Sequence, residues 1–302
     1  MSRERVGVLL CLLSAAAFSS ATIFGRVALQ EGIGVLTLLA LRYGGATLLF
    51  WGLVGLARQR LPGDLGAALR VLGLGAALVS LQAALIYSAL ERLDAGLTVL
   101  LLYTFPAMVA VGSVAIGREP PSRRKAGAVL IATVGIGLVL LGDARLSGDG
   151  VGIALGLASA VAAAAWVLVS DRVLQGMPSL VVSALVSTGA ALTFWSVGPA
   201  VGAIDLGFGA AGWGAILGTI VISTVLALST SMAGIARVGP TVTSVLLTAE
   251  VPLAVAWATL LLGERLRAVQ VVGAILVVAA VLLLQAVPLR RPAWATVRPG
   301  AR

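Results

Sequence analysis

Ten apolar runs, each near the roughly 20 residues that a helix needs to cross about 30 Å of hydrocarbon, follow one another along the sequence. They cover residues 6–29, 35–57, 71–90, 95–116, 126–141, 151–169, 180–201, 213–235, 241–262 and 268–287. Because an unpaired backbone amide in lipid costs several kcal/mol, only helices and closed barrels span a bilayer, and these runs lack the alternation of barrel strands. The sequence therefore predicts an all-α integral membrane protein with ten transmembrane helices.

The formal net charge of +9 is explained by the membrane orientation, because the basic residues are concentrated on one side, and it does not indicate a nucleic-acid partner. With the N-terminus in the cytoplasm, fifteen Lys and Arg residues lie in inner segments, whereas the outer segments hold five: Arg26, Arg92, Arg145, Arg265 and Arg267. An even number of spans returns the C-terminus to the cytoplasm. We therefore expect a multi-pass protein of the cytoplasmic membrane with both termini inside, and a basic tail, 291–302, that touches anionic lipid headgroups.

Enzymatic and metal-binding functions find little support in the residue types. The chain has no histidine and a single cysteine, Cys11, which excludes an internal disulfide and leaves no thiolate or imidazole metal cluster. Intramembrane aspartyl chemistry needs two close carboxylates, but only Glu250 lies deep in a span. Since no glycine-rich phosphate loop is present either, we expect neither an enzyme nor a cofactor.

The sequence is duplicated. A shift of 146 residues aligns Pro106 with Pro252, Gly117 with Gly263 and Gly127 with Gly273. The predicted repeats are residues 1–146, with spans one to five, and residues 147–290, with spans six to ten. Because five is odd, the second repeat enters the membrane from the opposite side, as in the inverted repeats of secondary transporters. A purely structural duplication is the alternative.

Three motifs resemble the EamA-type carriers of the drug/metabolite transporter superfamily: LRY at 41–43, Pro106 followed by GRE at 117–119, and Pro252 followed by GERL at 263–266. The resemblance covers nearly the whole chain. It implies ten helices, a central cavity lined by helices one to four and six to nine, helices five and ten at the periphery, and export of amino acids or similar small metabolites. The first-half turn departs from the pattern, because it reads Gly-Arg-Glu and is followed by Pro120 and Pro121.

Only Arg42 and Glu250 are ionisable residues well inside spans. A charge at a helix centre costs about 2.5 to 3.5 kcal/mol, so each is expected to face a partner or a wet cavity. Their counterparts in the other repeat are Val186 and Thr104, so both charges break the symmetry, as recognition of one asymmetric solute requires. We hypothesise that Glu250 binds a substrate ammonium or takes up a coupling proton, and that Arg42 meets a carboxylate or guards the outer mouth. A structural ion pair, or a protonated Glu250 bonded to a neighbouring helix, is the alternative.

Pro106 and Pro252 are predicted hinges at matching places in the two repeats. Proline removes an amide donor and clashes with the carbonyl four residues earlier, which for Pro252 is that of Thr248. Paired discontinuities of this kind point to the binding site of a transporter, although two kinks could merely shape the packing.

Four further residues are candidates for the cavity wall. Thr243 shares a helix face with Glu250 and Trp257, because the three are spaced by seven. The aromatic candidates lie near the centres of spans three, four and six, away from the interfacial belts: Tyr87, Tyr103 and Trp166. Such side chains suit an amphipathic solute. Ordinary core packing is the alternative for each of them.

The sequence as a whole predicts an alternating-access secondary transporter that exports small molecules, amino acids or related amines, with protons as a candidate coupling ion. A non-transporting membrane scaffold and a channel-like pore are the alternatives. The glycine faces of spans five and ten, at Gly127 and Gly273, could pair between two copies, so a homodimer is a further prediction.

Overall fold

A computed structural model of the chain describes residues 3–117, 120–142, 149–173, 177–264 and 267–285. Within these ranges the regular structure is entirely helical. The helices are α1 (Arg3–Gln30), α2 (Val35–Leu56), α3 (Leu65–Leu90), α4 (Ala95–Ala115), α5 (Arg123–Gly142), α6 (Gly150–Val173), α7 (Ser179–Ala200), α8 (Ala210–Leu217, Gly218–Leu226 and Ala227–Leu247 in succession), α9 (Glu250–Leu262) and α10 (Ala268–Gln285). The predicted junction of the repeats at 146 and the basic tail lie outside the described residues.

Seven of these helices are long and apolar enough to cross a membrane: α1, α2, α3, α4, α6, α7 and the first part of α8 up to Ile235. The apolar parts of the other three are shorter, at Ala126–Leu138, Glu250–Leu262 and Ala268–Leu283. The prediction of an all-helical membrane protein is therefore confirmed, whereas the count of ten crossings stays a prediction.

The chain reverses direction between 234 and 243, a stretch that includes the boundary, 236–240, predicted between the eighth and ninth spans. Helical backbone extends from 210 to 247 and is interrupted at 248–249. Gly234 and Thr243 nevertheless both contact Cys11 of α1. Nine residues of straight helix extend about 13.5 Å, so the chain must bend sharply between these two contacts. The chain after this bend returns along α1, and the Trp257 indole donates a hydrogen bond to Ser19 of α1.

Helix packing in one repeat is matched by that in the other. The helix α1 packs against α8 and α9, and its counterpart α6 packs against α3 and α4. The helices α2 and α7 pair with each other in antiparallel directions: the Trp51 indole donates to Thr188 at 2.9 Å, and the Trp195 indole donates to the carbonyl of Ala40 at 2.9 Å. This reciprocal pairing is what two inverted repeats produce.

The helices α3 and α8 each contain a π-helical segment, Gly75–Val79 and Gly218–Leu226. The hydroxyl of Ser80 donates to the Gly75 carbonyl at 3.2 Å, and that of Thr224 donates to the Thr219 carbonyl at 2.7 Å. Both bonds reach back five residues, and the two sets stand 144 positions apart (224 − 80 and 219 − 75). The widened turn is therefore a feature of both repeats, and such turns are frequent at functional sites.

Pro106 and Pro252 follow discontinuities and do not kink continuous helices. The helix α4 consists of Ala95–Leu102 and Phe105–Ala115, and a turn at 248–249 precedes α9. Each proline lies in the first turn of the helix that follows the break, where its missing amide is not needed. The Thr248 carbonyl, expected to be released by Pro252, accepts from the amide of Val251 at 3.2 Å.

The helices α5 and α10 pack against each other within the chain. A Cβ atom on Gly135 of α5 would meet the carbonyl of Gly273, so the two backbones are in close contact there. The face of Gly273, predicted to pair between two copies, is thus covered by its own chain. The space around Gly127 is open.

Among the residues that the structure describes, the largest cluster of buried apolar side chains fills one end of the bundle, where α1, α3 and α7 end and α2 and α8 begin. Its members include Ile23, Leu38, Leu90, Phe194 and Ile216. We call this the closed end. Toward the opposite end, a second and smaller cluster of buried apolar side chains joins α2, α3 and α7, and its members include Phe50, Val71 and Leu185.

Candidate functional site

A cavity of about 540 Å³ lies between the two repeats. Its described lining comes from α1, α2 and α3 of the first repeat and from α6, α7 and α8 of the second. The cavity runs from Arg42 and Ser187, within α2 and α7, to Met177 and Ser179, where α7 begins. Ser179 is exposed, so the cavity reaches the surface opposite the closed end. Its volume is in the range of sites for small molecules.

Arg42 is held at this cavity by neutral groups. Its Nε donates to the hydroxyl of Thr224 at 3.0 Å, and its Nη1 donates to the hydroxyl of Tyr87 at 2.5 Å. The guanidinium also lies over the rings of Tyr43 and Tyr87, 5.6 and 5.5 Å from their centres. Contacts of this kind attract a cation by the negative face of the ring, but they do not neutralise its charge.

The contacts of Arg42 join helices of both repeats. Tyr87 of α3 also donates to the Ala21 carbonyl of α1 at 3.3 Å, and Thr224 belongs to the π-helical segment of α8. Ser223, next to Thr224, exchanges a hydrogen bond of 2.8 Å with Ser20 of α1. The widened turn of α8 therefore sets both hydroxyls against the first repeat.

The remaining described lining combines apolar side chains with neutral polar ones. Trp166 and Met177 are among the apolar members, and Gln82 and Ser187 are among the polar ones. Among the lining residues that the structure describes, Arg42 alone carries a formal charge. The site is thus a cation in a wall of hydroxyl, amide and apolar groups.

Glu250 does not belong to the described lining of this cavity. Its Oε2 accepts a hydrogen bond of 2.6 Å from the hydroxyl of Tyr103. Tyr103 lies in the break of α4, and Glu250 is the first residue of α9. The bond therefore connects the discontinuities of the two repeats.

The break at 248–249 separates Thr243 from Glu250 and Trp257, which were predicted to share one helix face, but all three side chains contact α1 or α4. The Cys11 thiol of α1 donates to Thr243 at 3.4 Å, and the Trp257 indole donates to Ser19 of α1 at 3.0 Å.

The structure thus divides the candidate residues into two groups. At the cavity, Arg42 and Trp166 line the wall and Tyr87 holds Arg42. Along α9 and its partner helices lie Tyr103, Thr243 and Glu250, with Pro106 and Pro252 beside the two breaks.

Sequence reasoning missed a role for Glu264. Its two carboxylate oxygens accept from the backbone amides of Ala95 at 2.7 Å and Gly96 at 3.0 Å, at the N-terminus of α4. A carboxylate here satisfies free amides and the positive end of the helix dipole. Gly263 has a positive φ of 69° and ends α9, so the turn delivers Glu264 to α4. In the sequence, the Gly263-Glu264 pair after the ninth apolar run was the signal that could have indicated this contact.

Arg26 adds a second polar contact at the closed end. Its Nη1 donates to the Leu90 carbonyl at 2.6 Å, and its Nη2 lies 3.6 Å from the carboxylate of Asp94. The ends of α1 and α3 and the start of α4 are therefore joined. Together with Glu264 this contact ties four helices at the closed end.

A model of the EamA-like transporter family matches residues 5–141 and 150–285. The chain belongs to the EamA-like transporter family. The two matches, one in each half, confirm the duplication, and members of this family are transporters, not enzymes.

The fold of this EamA protein occurs in a solved crystal structure. The two are similar over 92% of this chain and 95% of the other, with a TM-score of 0.62 and 18% sequence identity. At that identity the likeness shows the fold alone. The comparison with curated proteins gives no significant match.

Proposed function

We propose that the protein is an alternating-access secondary transporter that exports small metabolites, from the class of amino acids and related compounds, across the cytoplasmic membrane. One observation carries the proposal: the cavity between the repeats reaches the surface at one end, and the apolar cluster fills the other. A carrier needs such a state, in which only one side has access to the site.

The charge distribution supports the cytoplasm as the accessible side. Arg58 and Arg60 follow the end of α2, and Arg3 and Arg5 begin α1, all at the end where the cavity reaches the surface. Basic residues concentrate on the cytoplasmic side of membrane proteins. The structure then corresponds to an inward-facing state, and exchange of conformations between the paired repeats would give the outward-facing one.

The Tyr103–Glu250 pair supports proton coupling. Hydrogen bonds to an ionised carboxylate are roughly twice as strong as those between neutral groups. A proton taken up by Glu250 would weaken the bond that connects the breaks of α4 and α9. We propose that this change biases the exchange between inward-facing and outward-facing states.

Counterflow in proteoliposomes tests the transport proposal. Vesicles that contain the purified protein are loaded with unlabelled solute and diluted into a trace of labelled solute, with amino acids, amines and carboxylic acids as the panel. Transient accumulation of label above equilibrium identifies a carrier. A channel-like pore would equilibrate the label without accumulation, and a scaffold would not admit it, so either result would reject the proposal.

A further inference from the structure

We propose that the cavity binds the carboxylate of its solute at Arg42 and rejects solutes whose only charge is an ammonium. The inference rests on the proposed transport function and narrows its substrate class. It selects, among amino acids and related compounds, those that carry a carboxylate.

The charge of Arg42 has no counter-charge among the described lining residues. Arg42 is the only formally charged residue in the described lining, and its contacts are hydroxyl groups and aromatic rings. The salt bridges found among the described residues lie elsewhere, at Arg26–Asp94, Arg70–Asp64 and Arg92–Asp149. A cation removed from bulk water is costly without an opposite charge. A solute carboxylate supplies that charge when it occupies the cavity.

The guanidinium of Arg42 is oriented by two of its nitrogen atoms and keeps donors for a solute. Arginine has five N–H donors, and the described contacts use Nε and Nη1, toward Thr224 and Tyr87. These two bonds fix the plane of the group from α8 and α3. The Nη2 donors have no hydrogen-bond acceptor among the described residues, and a planar carboxylate is the group that such donors bind best.

The rest of the described wall consists of apolar and neutral polar side chains. Trp166 and Met177 offer apolar surface for the body of a solute, and Gln82 and Ser187 offer neutral hydrogen bonds. A solute whose only charge is an ammonium would meet no negative charge among the described lining residues. Arg42 would also repel it, because water screens charges poorly in a cavity of this kind. A zwitterion satisfies Arg42 with its carboxylate and leaves its ammonium to hydroxyls and water. The affinity should therefore rise from amine to amino acid to deaminated acid.

A matched series of solutes tests this order. Phenethylamine, phenylalanine and 3-phenylpropionate share one aromatic body and differ in charge, and a second series is built on the leucine side chain. Titration calorimetry on the full chain in nanodiscs should show the acid binding about tenfold or more tighter than the amine. The neutral amide, 3-phenylpropionamide, tests the wild-type protein without any variant, and it should bind more weakly than the acid because it lacks the negative charge. Equal affinities for acid and amide, or no binding of either acid, would overturn the inference.

The variant Arg42→Gln assigns the effect to the residue. It should lose the preference for the acid, whereas Arg42→Lys, which keeps the charge without the fork of donors, should keep part of it. Acid binding unchanged in a folded Arg42→Gln protein would place the anion site elsewhere and refute the assignment.

Counterflow of the same solutes separates this inference from the transport proposal. Counterflow of the amine alone would retain the transporter and reject the carboxylate site. Arg42-dependent binding of the acid without counterflow would retain the site and reject the transporter.

Discussion

The hydroxyl of Tyr103 lies 2.6 Å from Oε2 of Glu250, and the two residues stand at the discontinuities of α4 and α9. Each discontinuity belongs to a different repeat, so the bond joins the halves where their helices are interrupted. The connection is not duplicated. Thr104, which aligns with Glu250, has a buried hydroxyl without a hydrogen-bond partner among the described residues. A single, asymmetric polar link is suited to respond to one ion.

The first prediction concerns this pair and pH. Glu250→Gln keeps the size of the side chain and removes its ionisation, so transport should lose its dependence on an imposed pH gradient. Tyr103→Phe removes only the donor, so it should move the midpoint of the pH dependence and keep the dependence itself. Uptake by proteoliposomes over a series of pH values measures both effects.

The double variant is the control for this prediction. Once Glu250 is replaced, Tyr103→Phe should have no further effect on the pH profile, because the bond is already lost. A Glu250→Gln protein that is present at normal levels and still responds fully to the pH gradient would exclude the coupling role.

A second prediction separates the two tyrosines beside Arg42. The rings of Tyr43 and Tyr87 are almost equally far from its guanidinium, but of the two hydroxyls only that of Tyr87 accepts a hydrogen bond from Arg42 among the described contacts, at 2.5 Å. Tyr87→Phe should therefore weaken binding of a carboxylate solute by about 1 kcal/mol, the usual worth of one hydrogen bond. Tyr43→Phe keeps its ring and serves as the matched control, with near-normal affinity. Equal losses in the two variants would show that the rings, and not the hydroxyl, hold Arg42.

A third prediction concerns the contact of Glu264 with α4. Glu264→Ala leaves the amides of Ala95 and Gly96 without their acceptor, so it should lower the free energy of unfolding by about 0.5 to 2 kcal/mol, as for loss of a helix cap. Thermal unfolding in detergent, followed by near-UV circular dichroism, measures the loss. Arg70→Ala removes an exposed ion pair with Asp64 and should change stability little. A Glu264→Ala protein that is as stable as the Arg70→Ala protein would show that Glu264 does not stabilise the closed end.

The helices themselves were largely predictable from the sequence. The second and seventh apolar runs, 35–57 and 180–201, agree within one residue with Val35–Leu56 and Ser179–Ala200. The reason is physical: hydrocarbon thickness fixes the length of a span, and polar residues or glycine and proline mark its ends. The duplication was equally visible, because glycine and proline positions are held by backbone geometry in both repeats.

The contacts that build the site could not be predicted in the same way. The hydrogen bond from the Ala95 amide to Glu264 joins residues 169 positions apart, and no periodicity in sequence encodes such a pairing. The π-helical turn that brings Thr224 to Arg42 adds one residue to a helical turn without changing composition. The sequence also suggested that Arg42 and Glu250 serve one cavity, but the structure assigns them different partners, because the rotation of α9 depends on packing against α1 and α4.

A fourth prediction tests the close packing of the π-helical turn in α3. A Cβ atom on Gly75 would overlap the backbone of Val186 in α7, which cannot move aside as a flexible side chain would. Gly75→Ala should therefore destabilise the protein by about 1 to 3 kcal/mol, the usual cost of overpacking. Gly73→Ala in the same helix meets open space and should be neutral or slightly stabilising. Similar thermal unfolding temperatures for the two variants would contradict the close approach of α3 and α7.

The fifth prediction tests which end of the bundle admits solute. Cys11 is buried and is the chain's only cysteine, so Cys11→Ser provides a background without thiols. In that background, Ser183→Cys lies in the cavity wall toward the start of α7, whereas Thr37→Cys lies buried at the closed end. A membrane-impermeant maleimide applied from the cytoplasmic side should modify the first position about tenfold or more faster than the second, because reaction requires access of water and reagent. A carboxylate solute that occupies the site at Arg42 should slow this modification. Faster labelling of Thr37→Cys, or labelling of Ser183→Cys only from the outer side, would reverse the assignment of the open end.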